Sequence, residues 1–517
     1  MGWRLLLVLI SLSGAAFAQL TPAAAARNWR EMHERSILDE FFDLLRIPNS
    51  GQDPASLRRN AEEVAASFER RGVTTQLLEF GDRPPVVFGE LKVRNASQTL
   101  VFCANYDGAP VLPSDWSTGD PYRPTLMSGR LEEGGQPIPL PRPGWPTDPE
   151  WRIYARSAAD NKAAIISLAV ALEALRNRQT PIRSNLKFFF SGSAEQGWPG
   201  LERILERHRN MLRGDAWIFC GHQLDETRRA RVIFGVRGIA GLDLTVYGPR
   251  RPLDSGHYGG WAPNPALMLA RLLSTMKDED GGVLIDGFYD AAVPLSDAER
   301  RAIAEIPDFD ATLRREFWLA GPVAGGLRLE EAINRPALNI RALAAGESDD
   351  DRRNFIPASA HASLDIRLVK GMDHQRVVEL VADHVRRQGF FVTESEPGEE
   401  VRLAHPRVCK ITRRRAYNAV RTPMDLDICR RIVAAAERAN GPVTKIPTLG
   451  ASLPLEAYEQ ILDAKVIMIP LANHDSNRGS HNENLRLQNL WDGIETLAEV
   501  MAMDGPEPAG AVSRNGD

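Results

Sequence analysis

Three carboxylates stand where an apolar run gives way to small and polar residues. Asp107 follows Thr99–Cys103 in Ala104-Asn105-Tyr106-Asp107-Gly108. Asp160 lies in Arg156-Ser157-Ala158-Ala159-Asp160-Asn161-Lys162, just ahead of a helical pattern. Glu195 sits in Phe188 to Gly200, which reads F-F-F-S-G-S-A-E-Q-G-W-P-G. Carboxylates supply oxygen ligands for a hard cation, or general acids and bases. In open α/β sheets the ligand crevice lies outside the C-terminal ends of the strands. Three acids at successive strand ends, or at the helix starts after them, therefore point to one shared site. Asp160 also has a plainer use, as a cap for the N–H groups of the helix it precedes.

The elements that must hold these acids alternate in type. Leu57–Arg71 reads as an amphipathic helix stopped by Gly72. Val86–Val93, Thr99–Cys103, Leu186–Phe190 and Asp215–Cys220 read as strands, with helices after Asp160 and from Pro199. This alternation predicts an α/β domain with a mainly parallel central sheet. From Arg231 the style changes. Val232–Phe234, Gly241–Tyr247 and Ala362–Val369 read as strands, and Asn264–Met276 and Arg376–Arg387 as helices. A smaller α+β unit inserted into the first domain is expected. From Pro423 the α/β style resumes, with a helix at Leu426–Ala439, a buried strand at Lys465–Pro470 and a closing helix at Leu490–Met503.

The chain has 517 residues, more than one core usually holds. Its 43% hydrophobic and 25% charged content is ordinary for a globular protein. A net charge of -5 gives no reason to expect nucleic acid, and Arg413–Arg415 reads as a short solvated run. Residues 1–18 read as a signal peptide: Arg4, an apolar stretch from Leu5 to Leu12, then Ala16-Phe17-Ala18. Cleavage before Gln19 and export, to a periplasm or beyond the cell, are expected. No later segment is apolar enough for a membrane span. Cys103 and Cys220 end apolar runs and read as buried thiols, while spacing leaves a Cys409–Cys429 bridge open. The tail from Gly505 is expected to be disordered.

The whole set of breaks resembles the M20 zinc peptidases, a family of carboxypeptidases, dipeptidases and deacylases. The residues that carry the resemblance are Tyr106-Asp107-Gly108, Ser157–Lys162, Phe188–Gly197, Arg237-Gly238, Ser255-Gly256-His257-Tyr258-Gly259, Gly450-Ala451-Ser452-Leu453-Pro454 and Asn482-Glu483-Asn484-Leu485. The resemblance implies an M20-type zinc-peptidase domain interrupted by a ferredoxin-like lid that makes a homodimer. The corresponding division is 27–235 and 413–504 for the α/β domain, 236–412 for the lid, and 505–517 for the tail. It also implies two Zn²⁺ ions bridged by an Asp and a water, with a Glu as general base and a lid His at the oxyanion.

Position by position, much of that machinery is missing. Asp107, the orienting acid, Asp160, the bridging ligand, and Glu195, a ligand, are present. The first ligand His falls on Asn105, the base on Ala194, the lid His on Asp254 and the last ligand His on Gly479. Gly221-His222 stand where another acidic ligand belongs. A methyl group at 194 accepts no proton, and losing one such group slows an enzyme by roughly 10²–10⁴-fold. Two readings follow. The first is an exported pseudo-peptidase without a cofactor, binding a small peptide or amino-acid-like ligand. The second is a divergent amide hydrolase using Zn²⁺ or another divalent cation. There His222 or His481 would substitute as a ligand, and Asp254 or Glu483 as the base.

Overall fold

The computed structural model of the chain describes residues 20–323, 325–346 and 354–506. The signal peptide expected at 1–18, and the expected tail from residue 507 onward, lie outside the described residues. An eight-stranded sheet carries the breaks named above. Its order is Thr74–Leu78, Val86–Leu91, Asn185–Ser191, Thr99–Asn105, Ala216–Cys220, Val466–Ile469, Arg231–Ile233 and Thr444–Ile446. The three central pairings are parallel, so those strands end together on one edge of the sheet.

Both faces of this sheet are covered, which is why its strands read as unbroken apolar runs. Along Asn185–Ser191 the side chains alternate. Phe188 and Phe190 meet Phe68 on one face, and Phe189 meets Trp217 and Tyr458 on the other. Helices Pro22–Arg46, Lys162–Asn177, Asp427–Asn440 and Leu487–Ala502 pack on the first face. Helices Leu201–Arg207 and Glu456–Leu462 pack on the second. The mixed α/β architecture expected from the alternation is present.

A second sheet has its own core. Its order is Ala337–Ala345, Ser359–Leu368, Gly235–Tyr247, Val408–Tyr417 and Phe391–Thr393. Ala240, Leu242, Leu244 and Val246 alternate inward along the central strand. Helices Pro265–Ser274 and His374–Arg387 close over that face with Leu269, Leu272, Val377 and Val381. The central strand runs unbroken for 13 residues, where the sequence reading saw only its second half. Gly235, Gly238 and Gly241 weaken strand propensity, but pairing on both sides overrides it. A Cβ at Gly238 would lie 2.6 Å from the backbone nitrogen of Ala419, so only glycine allows the approach.

All four cysteines are free and buried. Cys409 lies in the core of the second sheet and Cys429 in that of the first, so the bridge left open between them is not formed.

Candidate functional site

Parallel strands put the ends of Thr99–Asn105, Asn185–Ser191 and Ala216–Cys220 side by side. The residues that follow them line one cleft of about 220 Å³. Asn105, Ala194, Glu195 and His222 face it from strand ends of the first sheet, and Asp160 and Asn161 from the turn before the Lys162–Asn177 helix. Arg415 and Ser452 reach it from beside the second sheet, and Arg478 from the loop after Val466–Ile469. A wider groove of about 1020 Å³ outside the cleft shares Trp198 and Arg415.

Local conformation sets up this convergence. At the end of Asn185–Ser191, Gly192 lies against the Tyr106 ring, and a Cβ there would come within 2.4 Å of it. Asp107, fully buried, holds the turn at Glu195 by accepting from its backbone N–H at 2.8 Å. Oδ1 of Asp107 has no partner among the described residues. Burial, with the charge of Glu195 added to it, pushes the Asp107 carboxyl up to about 7, against the pull of the N–H groups it faces. Glu195 itself is open to the cleft, and its side chain has no hydrogen-bond partner among the described residues. Partial loss of water, then the nearby Asp160, raises its carboxyl above the ordinary range, and Arg478 opposes the shift.

Asp160 does not cap the Lys162–Asn177 helix. That helix has Asn161 as its N-cap, at φ +92°, with no side-chain capping bond. The Asn161 amide instead donates to the Asp107 carbonyl at 3.1 Å. The Asp160 carboxylate faces Arg478, whose Nε lies 2.5 Å from Oδ2. The same guanidinium donates to Nδ1 of His222 at 2.6 Å. Nδ1 must then be an acceptor, so His222 is neutral with its proton on Nε2. Burial first, and Arg478 second, depress the His222 ring to about 3.

Four positions singled out in the sequence lie elsewhere. Gly479 does not line the cleft; at φ +69° it turns the loop so that Arg478, one residue earlier, points inward. His481 is exposed and reaches only the Ser480 hydroxyl, so it supplies no ligand. Glu483 is fully buried and already engaged. It pairs with Arg156 at 2.6 Å and accepts from the backbone N–H groups of Ser157, Ala159 and Asp160. A carboxylate so saturated anchors the 157–160 turn and is no substitute base. Asp254 is half-exposed, outside the cleft, where it accepts from the backbone N–H of His257 and contacts its ring at 2.9 Å.

Arg415 and Arg478 were not legible in the sequence as cleft residues. The Arg413–Arg415 run divides its work. Arg413 pairs with Glu394 and Arg414 with Asp243. Arg415 sits where the pairing of Val408–Tyr417 with Gly235–Tyr247 slips, between Arg413 and Ala416. Such a bulge re-aims a side chain. No carboxylate pairs with Arg415 among the described residues.

The cleft can be tested as a zinc centre. Each of two bridged zinc ions needs imidazole and carboxylate donors. Here one acidic oxygen and one imidazole lone pair are spent on Arg478, Asn105 is a neutral amide, and Ala194 offers nothing. Among the described residues no group of three or more His, Cys, Asp or Glu is placed to hold an ion. The residues present do not fit a zinc pair.

The sequence profile described as peptidase family M20/M25/M40 matches residues 136–503. The chain belongs to that family. It is 24% identical over 441 residues to the Cys-Gly metallodipeptidase dug1 of Schizosaccharomyces pombe, covering 84% of this chain and 86% of that one. It is 23% identical over 527 residues to the Homo sapiens Beta-Ala-His dipeptidase, covering 96% of each. Its fold is similar to that of the M20 family metallo-carboxypeptidase Sso-CP2 from Sulfolobus solfataricus. The TM-score is 0.71 at 24% identity, over 90% of this chain and 98% of that one.

Proposed function

We propose that this chain is an M20 pseudo-peptidase: it keeps the family's cleft as a binding site and has lost two-metal hydrolysis. The observation that carries this is the cleft's donor set, in which Ala194 stands at the base position and no three metal-ligating side chains converge among the described residues. The ligand class is a small peptide or amino-acid-like molecule. Arg415, without an acidic partner among the described residues, suits its carboxylate, and Asn105 suits its amide groups. The protein is exported, on the reading of residues 1–18, and works as a homodimer through the second sheet. Support for the dimer is the edge strand Ala337–Ala345, exposed from Asn339 onward, with an unpaired backbone edge.

A second reading, a divergent hydrolase, draws on Glu195, whose free carboxyl has a raised pKa and stands in the cleft. One experiment separates the two. Purified protein incubated with Zn²⁺ is analysed for bound metal and assayed on dipeptides, Cys-Gly and β-Ala-His among them, and on N-acyl amino acids. The pseudo-peptidase binds members of this panel in a thermal-shift or calorimetric titration and cleaves none. Two tightly held zinc ions per chain, or turnover at ordinary enzyme rates of about 1–10³ s⁻¹, would falsify it.

A further inference from the structure

The cleft already contains a cation. Arg478 reaches it from a loop whose neighbours Asn477 and Gly479 both have positive φ, at 52° and 69°. Its Nε meets Asp160 and one terminal nitrogen meets Nδ1 of His222. These two contacts tie the 473–483 loop to the turn before the Lys162–Asn177 helix and to the end of Ala216–Cys220 in the first sheet. A guanidinium stays charged at any relevant pH and is more weakly hydrated than an ammonium, so it is suited to a buried pair.

We infer that Arg478 is the resident cation of the cleft, standing in for a metal ion: it neutralises Asp160, holds His222 through its lone pair, and keeps divalent cations out. The inference concerns the same cleft as the pseudo-peptidase reading and rests on it. Two features make exclusion follow from the geometry. A metal that takes Oδ2 of Asp160 must displace Nε, one that takes Oδ1 alone still lies beside the guanidinium, and one arriving at Nδ1 of His222 must displace the terminal nitrogen. In each case the guanidinium lies beside a dication, a like-charge contact. Without Arg478, the Asp160 carboxylate and the His222 lone pair lose their partner and become two donors for one cation; Glu195 lines the same cleft and has to move to add a third.

The test uses the full mature chain and its R478M, R478Q and R478K variants, titrated with Zn²⁺ and with Mn²⁺ and followed by calorimetry and by thermal melting. R478M removes the charge and keeps the length; R478Q is the alternative if R478M does not fold, as judged by circular dichroism. The expected result is that R478M or R478Q melts below the wild type and recovers on adding Zn²⁺. It binds zinc, and more tightly than the wild type does. R478K keeps the charge and stays metal-free. If neutral variants bind no more metal than the wild type, Arg478 does not guard the site and this inference fails while the pseudo-peptidase reading stands. If the wild type itself takes up two zinc ions tightly, both fail.

Discussion

Ala194 and Glu195 are neighbours in sequence and in the cleft, yet only one carries a group that can exchange a proton. Restoring a carboxylate with A194E is expected to leave dipeptide hydrolysis within about tenfold of the wild type, against the roughly 10²–10⁴-fold that a working base contributes. On the pseudo-peptidase reading the restored base has no metal-bound water to act on, and a coupled assay for released amino acid reads the outcome. Asp107 makes a different prediction. Its carboxyl titrates at about 7 in the folded chain, against 3.8 when free. Between those values the folded state holds a proton that the unfolded state has released. Stability therefore falls as pH rises from about 4 to 7, by at most about 1.4 kcal/mol per unit from this group. D107N keeps an oxygen acceptor for the Glu195 N–H and has no such loss. Urea midpoints at pH 5, 6 and 7 are expected to move in favour of D107N as pH rises; a constant difference would rule out the raised carboxyl. At this scale the sequence was informative wherever a residue follows a strand. Asn105, Ala194, Glu195 and His222 reach the cleft because strand ends fix their direction, and Asp160 because the turn into the Lys162–Asn177 helix does. Arg478 and the misplaced Gly479 and His481 belong to a loop with three left-handed residues, Asn477, Gly479 and Asn482. Counting along such a loop says little about which side chain points inward. The Asn-Arg-Gly triplet was the available signal, since Asn and Gly are the residues that tolerate that backbone.

The elements that carry the site are braced from below. Lys162 is fully buried at the start of its helix, and its ammonium donates to the carbonyls of Leu44 and Ile47 at 2.7 and 2.9 Å. It ties that helix to the end of Pro22–Arg46. One turn earlier, Glu483 fills the ring of N–H groups at 157–160 and neutralises Arg156. E483A leaves Arg156 buried and unpaired, and is expected to cost about 3–5 kcal/mol in chemical denaturation. A loss under about 1 kcal/mol would mean that the pair is relaxed by water. G192A presses a methyl group into the Tyr106 ring and is expected to cost about 1–3 kcal/mol. The period and length of the apolar runs were enough to find the central strands, because burial on both faces leaves an unmistakable pattern. They were not enough for Gly235–Tyr247, whose glycines are explained by close backbone neighbours that lie 170 residues or more away along the chain.

At the scale of the molecule, two sheets with separate cores meet around one cleft, and each has a different exposure. The first is covered on both faces; the second ends in an exposed strand that carries Ile340 and Leu343 into solvent, 44% and 57% exposed. If two copies meet there, the double substitution I340K/L343K is expected to halve the mass measured by light scattering and leave the far-ultraviolet circular dichroism unchanged. An unaltered mass, or a monomeric wild type, would remove the edge-strand dimer. None of the described helices is long and apolar enough to cross a membrane.

The chain passes between the two sheets twice, out along Gly235–Tyr247 and back along Val408–Tyr417 and Val420–Arg421. These segments pair with each other at the crossing, Ala416 with Ala240, Tyr417 with Ile239 and Val420 with Val236. The link is thus a hydrogen-bonded ribbon and not a pair of loose tethers. Leu449–Ser452 pairs along the same crossing at Val236 and Arg237, and a narrow band of paired strands resists stretching and sideways bending in its plane more than it resists the twist natural to sheets. A relative motion of the two halves along this link is expected to be a torsion about its axis, which would carry Arg415, on the bulge, across the cleft mouth. In mechanical terms the link would act as a torsion spring with one charged pointer, and a ligand holding Arg415 against the first sheet would set its angle.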